Sequence, residues 1–201
     1  MGSSVVGVAP ARDFYARPAP EVAVDLLGKL LVHGARAGRI VEVEAYLGAA
    51  DPASHSFRGP TPRNATMFGP PGHLYVYRSY GIHWCANATC GDGGAVLLRA
   101  LAPVAGIELQ RASRPGARTD RDLCNGPGKL GQALALDAGL DGADLVTGDR
   151  DVLVLDDGTP PPAVPTVTAR IGISVAVHER LRFYVPGDPN VSRPLVPGVR
   201  A

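Results

Sequence analysis

The chain has 201 residues, 45% of them hydrophobic and 19% charged, with a formal net charge of +1 at pH 7. That length supports one domain with a sizeable buried core, and the mix of apolar and charged residues excludes a disordered chain. The near-zero charge excludes a polyanion binder that relies on bulk basicity, so any basic footprint must be local.

Residues 1–12 read as a flexible leader without the basic start or apolar core of a secretory signal. Residues 13–201 read as a single domain. Ala19-Pro20 opens a short helix, because proline favours the first turn, and Val22, Leu26 and Leu27 fall on one face before Gly28 ends it. KLLVH and RIVEVEAYLG follow as the arms of a β-hairpin around residues 34–38. Along the second arm the period of two puts Val41, Val43, Ala45 and Leu47 on a core face, and Ile40, Glu42, Glu44 and Tyr46 on the other. That second face reads either as a solvated strand face or as a row of functional groups.

Residues 48–73 form a long Gly/Pro-rich loop, of a length that usually marks function. It carries His55, Arg58, Arg63 and Asn64. LYVYRSYGIHWCAN reads as two strands around a tight turn near residues 79–81, with Tyr80 exposed at the tip. GGAVLLRALAP is a buried strand, and its Arg99 calls for a carboxylate partner. Residues 103–114 have helical spacing. A further helix starts near Asn125 with Pro127 in its first turn, and Gly126 and Lys129 there suggest an anion site at exposed amides. The last third, DVLVLDD, TVTARIGIS and LRFYV, reads as strands, with Arg182 and Tyr184 as its notable side chains.

Between Pro52 and Gly91 there is no Asp or Glu, yet there are three Arg, three His and the aromatics Tyr75, Tyr77, Tyr80 and Trp84. A carboxylate pair, Glu42 and Glu44, borders this acid-free zone. Aromatics stack on bases at about 1–3 kcal/mol each. An exposed wedge at a hairpin tip opens a duplex through the minor groove, and a carboxylate held near an arginine deprotonates a water. Taken singly, Tyr75 and Tyr77 read as strand-face residues, His55 as a loop hydrogen-bonder and Arg99 as an ion-pair partner. Together they point to a nucleic-acid binder, with or without chemistry on a base. Cys85, Cys90 and Cys124 are odd in number and form no CxxC pair, as expected in a reducing cytoplasm. With His83 they match no zinc spacing. Only Lys29 and Lys129 of the 20 basic residues are lysines, so few amines are available for Schiff-base chemistry.

The segments GRIVEVEAYLG, ASHSFRGPTPRNATMFGPPGHLYVYRSYGIHWCAN, GDGGAVLLRALAP, LCNGPGKLGQALAL and LRFYVPGDPNVS together resemble the alkyladenine (3-methyladenine, methylpurine) DNA glycosylase family. His83 stands where other members often carry Tyr. The resemblance implies a mixed α/β (α+β) domain with a curved, largely antiparallel sheet, flanking helices and a protruding β-hairpin. It implies a monofunctional enzyme that flips alkylated or deaminated purines from double-stranded DNA and hydrolyses the N-glycosidic bond. It implies that no cofactor, metal or membrane is involved and that the enzyme acts as a monomer. By position, Glu44 matches the general base and Arg99 the arginine that holds the attacking water. Tyr46, His55 and Tyr77 match the residues that enclose the base, and Asn87 the amide that excludes normal guanine. Tyr80 matches the residue that fills the gap. Arg63, Lys129 and Gly126 are the expected phosphate contacts. The rival expectation is a non-catalytic nucleic-acid-binding protein using the same aromatic hairpin.

Overall fold

The computed structural model describes residues 5–192. Met1–Ser4 of the expected leader and residues 193–201 of the expected domain lie outside it. The rest of the expected leader lies against the sheet: Val8 and Asp156 exchange two backbone hydrogen bonds of 2.9 Å.

Two short helices open the chain, α1 (Arg12–Tyr15) and α2 (Ala19–Leu26), the latter with Pro at its first turn. Strands β1 (Leu30–His33) and β2 (Arg36–Leu47) form the expected hairpin. The long loop contains two 3-10 turns, Gly48–Ala50 and Ala65–Phe68. Strands β3 (His73–Ser79), β4 (His83–Gly91) and β5 (Gly94–Ala105) follow as a meander. Helical spacing read from residue 103 is corrected here. Residues 103–105 still belong to β5, and α3 (Ile107–Ser113) begins only after Gly106 turns the chain at φ +64°. A Cβ at Gly106 would lie 2.3 Å from the Ala35 carbonyl oxygen, so only glycine fits the turn.

Helices α4 (Arg121–Cys124) and α5 (Pro127–Ala133) then pack on the sheet. Short strands β6 (Ala143–Asp144), β7 (Val152–Leu155), β8 (Thr166–Thr168) and β9 (Arg182–Tyr184) complete it. Only the first three residues of TVTARIGIS are strand. Its remainder is an irregular segment that proves central to the site.

The strands pair antiparallel in the order β6-β3-β4-β5-β2-β1-β7, and β9 joins β2 on the edge that β1 leaves open. One face packs on the helices. Leu31, Ile40, Val43, Ala45, Leu74, Val76, Ala86, Ala88, Val96 and Leu98 interlock there with Tyr15, Val22, Leu26, Leu123 and Leu130. The α5 backbone sits close to β4, since a Cβ on Gly131 would meet the Trp84 carbonyl oxygen at 2.3 Å. Among the described residues, no helix is long and apolar enough to cross a membrane.

Strict alternation along β2 fails at one point. Ile40 pairs with Leu101, Glu42 with Ala100 and Val43 with Leu98, so the register slips at Val41 on one strand and at Arg99 on the other. The two slips move Ile40 onto the helix-packed face, beside Val43 and Ala45. They leave Glu42 and Glu44 on the opposite side, but not in solvent: both are fully buried. Leu47, expected in the core, is 37% exposed. Bulges of this kind re-aim side chains beside functional sites; here the re-aimed pair is Ile40 and Leu101, both in the core, while Leu97 and Arg99 keep their alternation onto the cavity side.

Candidate active site

The face of the sheet away from the helices carries a row of side chains across four strands. Glu44 on β2 lies opposite Leu97 on β5, Leu97 opposite Asn87 on β4, and Asn87 opposite Tyr75 on β3. Period-two geometry adds Tyr77 and Cys85 beside this row, and Tyr46 at its other flank. The loop of residues 51–67 and the segment of residues 171–175 rise over this face. They enclose an open cavity of about 680 Å³ lined by Tyr46, His55, Tyr77, Asn87, Arg99 and Ile171, among others. That size lies in the range of small-ligand pockets, roughly 300–1,000 Å³.

Glu44 lies under the cavity floor. Its Oε1 accepts the Ile171 amide at 2.7 Å and faces Arg99 Nη1 at 3.2 Å, while its Oε2 accepts the Tyr46 hydroxyl at 3.1 Å. All three donors line the cavity, so the carboxylate is approached through them. Burial raises the Glu44 pKa above the usual glutamate value; Arg99, the Ile171 amide and Tyr46 pull it back without cancelling the rise. Arg99, 6% exposed, has the carboxylate partner its position demands, and a second one: its Nε donates to Glu42 Oε1 at 2.9 Å.

The cavity walls are aromatic. The His55 and Tyr77 rings meet edge to face at 4.4 Å, and Tyr75 and Tyr77 stack at 5.7 Å. His55 Nδ1 lies 3.1 Å from the Tyr75 hydroxyl. Burial of its inner edge, helped by the charge of Arg63, lowers the His55 pKa and favours the neutral ring. Desolvation raises the Tyr75 pKa to about 12 and pushes Tyr46 and Tyr77 up as well, so the phenols keep their protons. Asn64 fixes the loop behind His55: its Nδ2 donates to the His55 and Gly59 carbonyls, and its Oδ1 accepts from Thr61. Asn87 Nδ2 donates to the Tyr75 carbonyl at 3.2 Å, which orients the amide at the pocket wall.

At the tip of the β3–β4 hairpin, the Ile82 amide bonds the Ser79 carbonyl, and Tyr80 and Gly81 both have positive φ, +49° and +68°. Holding a tyrosine in the left-handed region costs about 1–2 kcal/mol. It leaves Tyr80 85% exposed, with Ile82 beside it at 66%.

The expected phosphate contacts separate. Arg63 is exposed and lines the cavity, whereas Gly126 and Lys129 stand outside its lining. Lys129 Nζ bonds Asn125 Oδ1 at 2.7 Å. Neither lysine lines the cavity, and Lys29 is bound to Asp156.

Sequence reasoning missed the far side of the site. Arg170 holds both Asp51 oxygens and the Ala45 carbonyl, and its guanidinium lies 4.6 Å from the centre of the Tyr46 ring. This pairing braces the loop of residues 51–67 against the segment that supplies the Ile171 amide. Arg182 and Ser192 both bond Glu42. Arg170 sits in an ARIG stretch that reads as a strand, and its partner is 119 residues away, so no local pattern announces it.

Residues 13–189 match the model of the methylpurine-DNA glycosylase (MPG) family. A Burkholderia lata protein named "Putative 3-methyladenine DNA glycosylase" is 52% identical over 94% of this chain and 93% of its own length. Proteins with the same name from Burkholderia cenocepacia and Rhizobium meliloti are 53% and 49% identical. They cover 92% and 90% of this chain, and 92% and 95% of their own lengths. With an aromatic cavity over a buried Glu–Arg pair and a family match along nearly the whole chain, this protein belongs to the methylpurine-DNA glycosylase family.

Proposed function

We propose that the protein excises alkylated purines from double-stranded DNA by flipping the damaged nucleotide and hydrolysing its N-glycosidic bond with an activated water. The observation that carries this reading is the Glu44–Arg99 pair beneath a cavity walled by Tyr46, His55 and Tyr77, next to an exposed aromatic at a hairpin tip. Tyr80, flanked by Ile82, enters the duplex from the minor groove and takes the place of the extruded base, offsetting the few kcal/mol of unstacking. The flipped base lies among Tyr46, His55 and Tyr77. A purine made cationic by alkylation is held there by the ring faces, and Asn87 presents its amide at the pocket wall to discriminate against normal guanine.

Glu44 takes a proton from a water as the water oxygen bonds C1′. The C1′–N bond breaks, its electron pair leaves with the purine, and Arg99 holds the water in line. A cationic purine leaves without further protonation, so one base suffices. The absence of a lysine from the cavity lining supports direct hydrolysis without an imine. The aromatic hairpin alone would suit a non-catalytic binder, but such a protein has no use for a carboxylate buried beside an arginine, a costly arrangement.

The test is Glu44→Gln. Release of 3-methyladenine or 7-methylguanine from single-lesion duplexes is expected to fall by about 10²–10⁴-fold, while lesion binding in a mobility-shift assay is retained. Release at the wild-type rate would remove Glu44 from the mechanism.

A further inference from the structure

Glu42 is fully buried two residues before Glu44, with four charge-assisted hydrogen bonds and no access to the cavity. Its Oε1 accepts from Arg99 Nε at 2.9 Å, Arg182 Nε at 2.7 Å and Ser192 Oγ at 2.8 Å; its Oε2 accepts the Ser192 amide at 2.6 Å. Arg182 extends the network to Thr168 Oγ1 and the Ser192 carbonyl. Two carboxylates, Glu42 and Glu44, thus face two guanidiniums, Arg99 and Arg182. The far C-terminal end of the described chain is tied into the cluster.

The geometry around Arg99 is unusual for an arginine beside a carboxylate. Such pairs favour a two-pronged, bidentate arrangement. Here each guanidinium nitrogen points to a different acceptor: Nε to Glu42, Nη1 to Glu44 and Nη2 to Ser192 Oγ at 3.4 Å. Glu44 therefore receives a single contact from Arg99, at 3.2 Å. An Arg99 free of Glu42 would turn and clamp Glu44 bidentately. A carboxylate so clamped is a weaker base.

We propose that Glu42 is a positioning residue for excision: with Ser192 it holds Arg99 by its Nε and so keeps the Glu44 carboxylate free to take a proton from water. This rests on the reading of Glu44 as the base. The charged and titratable groups facing Glu44 are Glu42 and Tyr46 on β2, Tyr77 on β3, Arg99 on β5, Arg182 on β9 and Arg170 after β8. Of these, Glu42 raises the Glu44 pKa and Arg99 lowers it. Removing the Glu42 charge withdraws the first influence and strengthens the second.

The experiment measures single-turnover excision of 7-methylguanine against pH for wild type, Glu42→Gln, Ser192→Ala and Glu44→Gln. Glu42→Gln is expected to slow excision at the pH plateau by on the order of tenfold to a hundredfold, and to move the acidic limb of the profile to lower pH. Ser192→Ala is expected to do both to a smaller degree. A Glu42 that acts on Glu44 only through its charge would move the limb and leave the plateau rate per folded enzyme at the wild-type value, and that result overturns the proposal. A Glu42→Gln profile with wild-type rate and limb overturns the proposal. If that variant does not fold, a wild-type profile for Ser192→Ala overturns it. Wild-type excision by Glu44→Gln would instead overturn the assignment of the base itself.

Discussion

Burial and charge act on Glu44 in opposite directions. Desolvation disfavours the carboxylate, while the Arg99 guanidinium, the Ile171 amide and the Tyr46 hydroxyl favour it, and desolvation wins. A general base works only when deprotonated, so excision is present above the Glu44 pKa and lost as the pH falls through it. Because that pKa is raised, excision of a cationic lesion is expected to fail on acidification at a pH above 4.5, the usual glutamate value. A single-turnover pH profile checks this, and an acidic limb at or below that value would contradict it. On the alkaline side the phenols stay protonated, since desolvation lifts Tyr75 to about 12 and Tyr46 and Tyr77 also upward. The pocket therefore keeps its neutral aromatic walls through the working range.

At the scale of elements, the β3–β4 hairpin and the segment after β8 divide the work. The hairpin offers the wedge: its tight turn holds Tyr80 in a left-handed conformation that points the ring into solvent. A residue with that strain and exposure adds nothing to the core, so replacing it tests function with little effect on folding. Tyr80→Ala is expected to slow excision from duplex DNA by the equivalent of about 1–3 kcal/mol, the worth of one aromatic–base stack. Excision of the same lesion from single strands, where no gap needs filling, is expected to change little. Equal losses on both substrates would remove the wedge role. The segment after β8 has no regular structure across residues 171–175, yet it supplies the Ile171 amide to Glu44. It is held in place by Arg170, not by a ladder of backbone bonds.

At the scale of the whole molecule, the Asp51–Arg170 pair joins the two parts of the chain that roof the cavity. Both side chains are buried, so removing one charge strands the other. Asp51→Asn is expected to cost about 3–5 kcal/mol of stability, read as a lower urea midpoint. The pH dependence has a definite sign. Burial alone would raise the Asp51 pKa, but hydrogen bonds from Arg170 and the Ala53 and Leu47 amides bring it below its usual value of 3.8. A depressed folded pKa contributes stability that is full above the unfolded value and is lost as the pH falls through the folded one. The gap between wild type and Asp51→Asn is therefore expected to close as the pH drops below about 3.8. A gap that stayed constant through that window would show that the charge of Asp51 is not what stabilises the pair.

The sequence by itself determined the local features. Alternating apolar residues, glycine turns and Pro127 at a helix start specified β2, the β3–β4 hairpin and α5, because these depend on neighbours a few residues apart. The acid-free stretch from Pro52 to Gly91 marked the aromatic walls, and Arg99 in an apolar strand announced a carboxylate partner. Only the tertiary structure decided which carboxylate does what. Two register slips, at Val41 and Arg99, put Ile40 in the core, and no periodic rule contains a slip; both glutamates keep the face that alternation gave them, but they are fully buried there. Likewise Arg170 and Ser192 reach the site from partners 119 and 150 residues away. Burial, which raises the pKa of Glu44, exists only once those distant segments have closed over it.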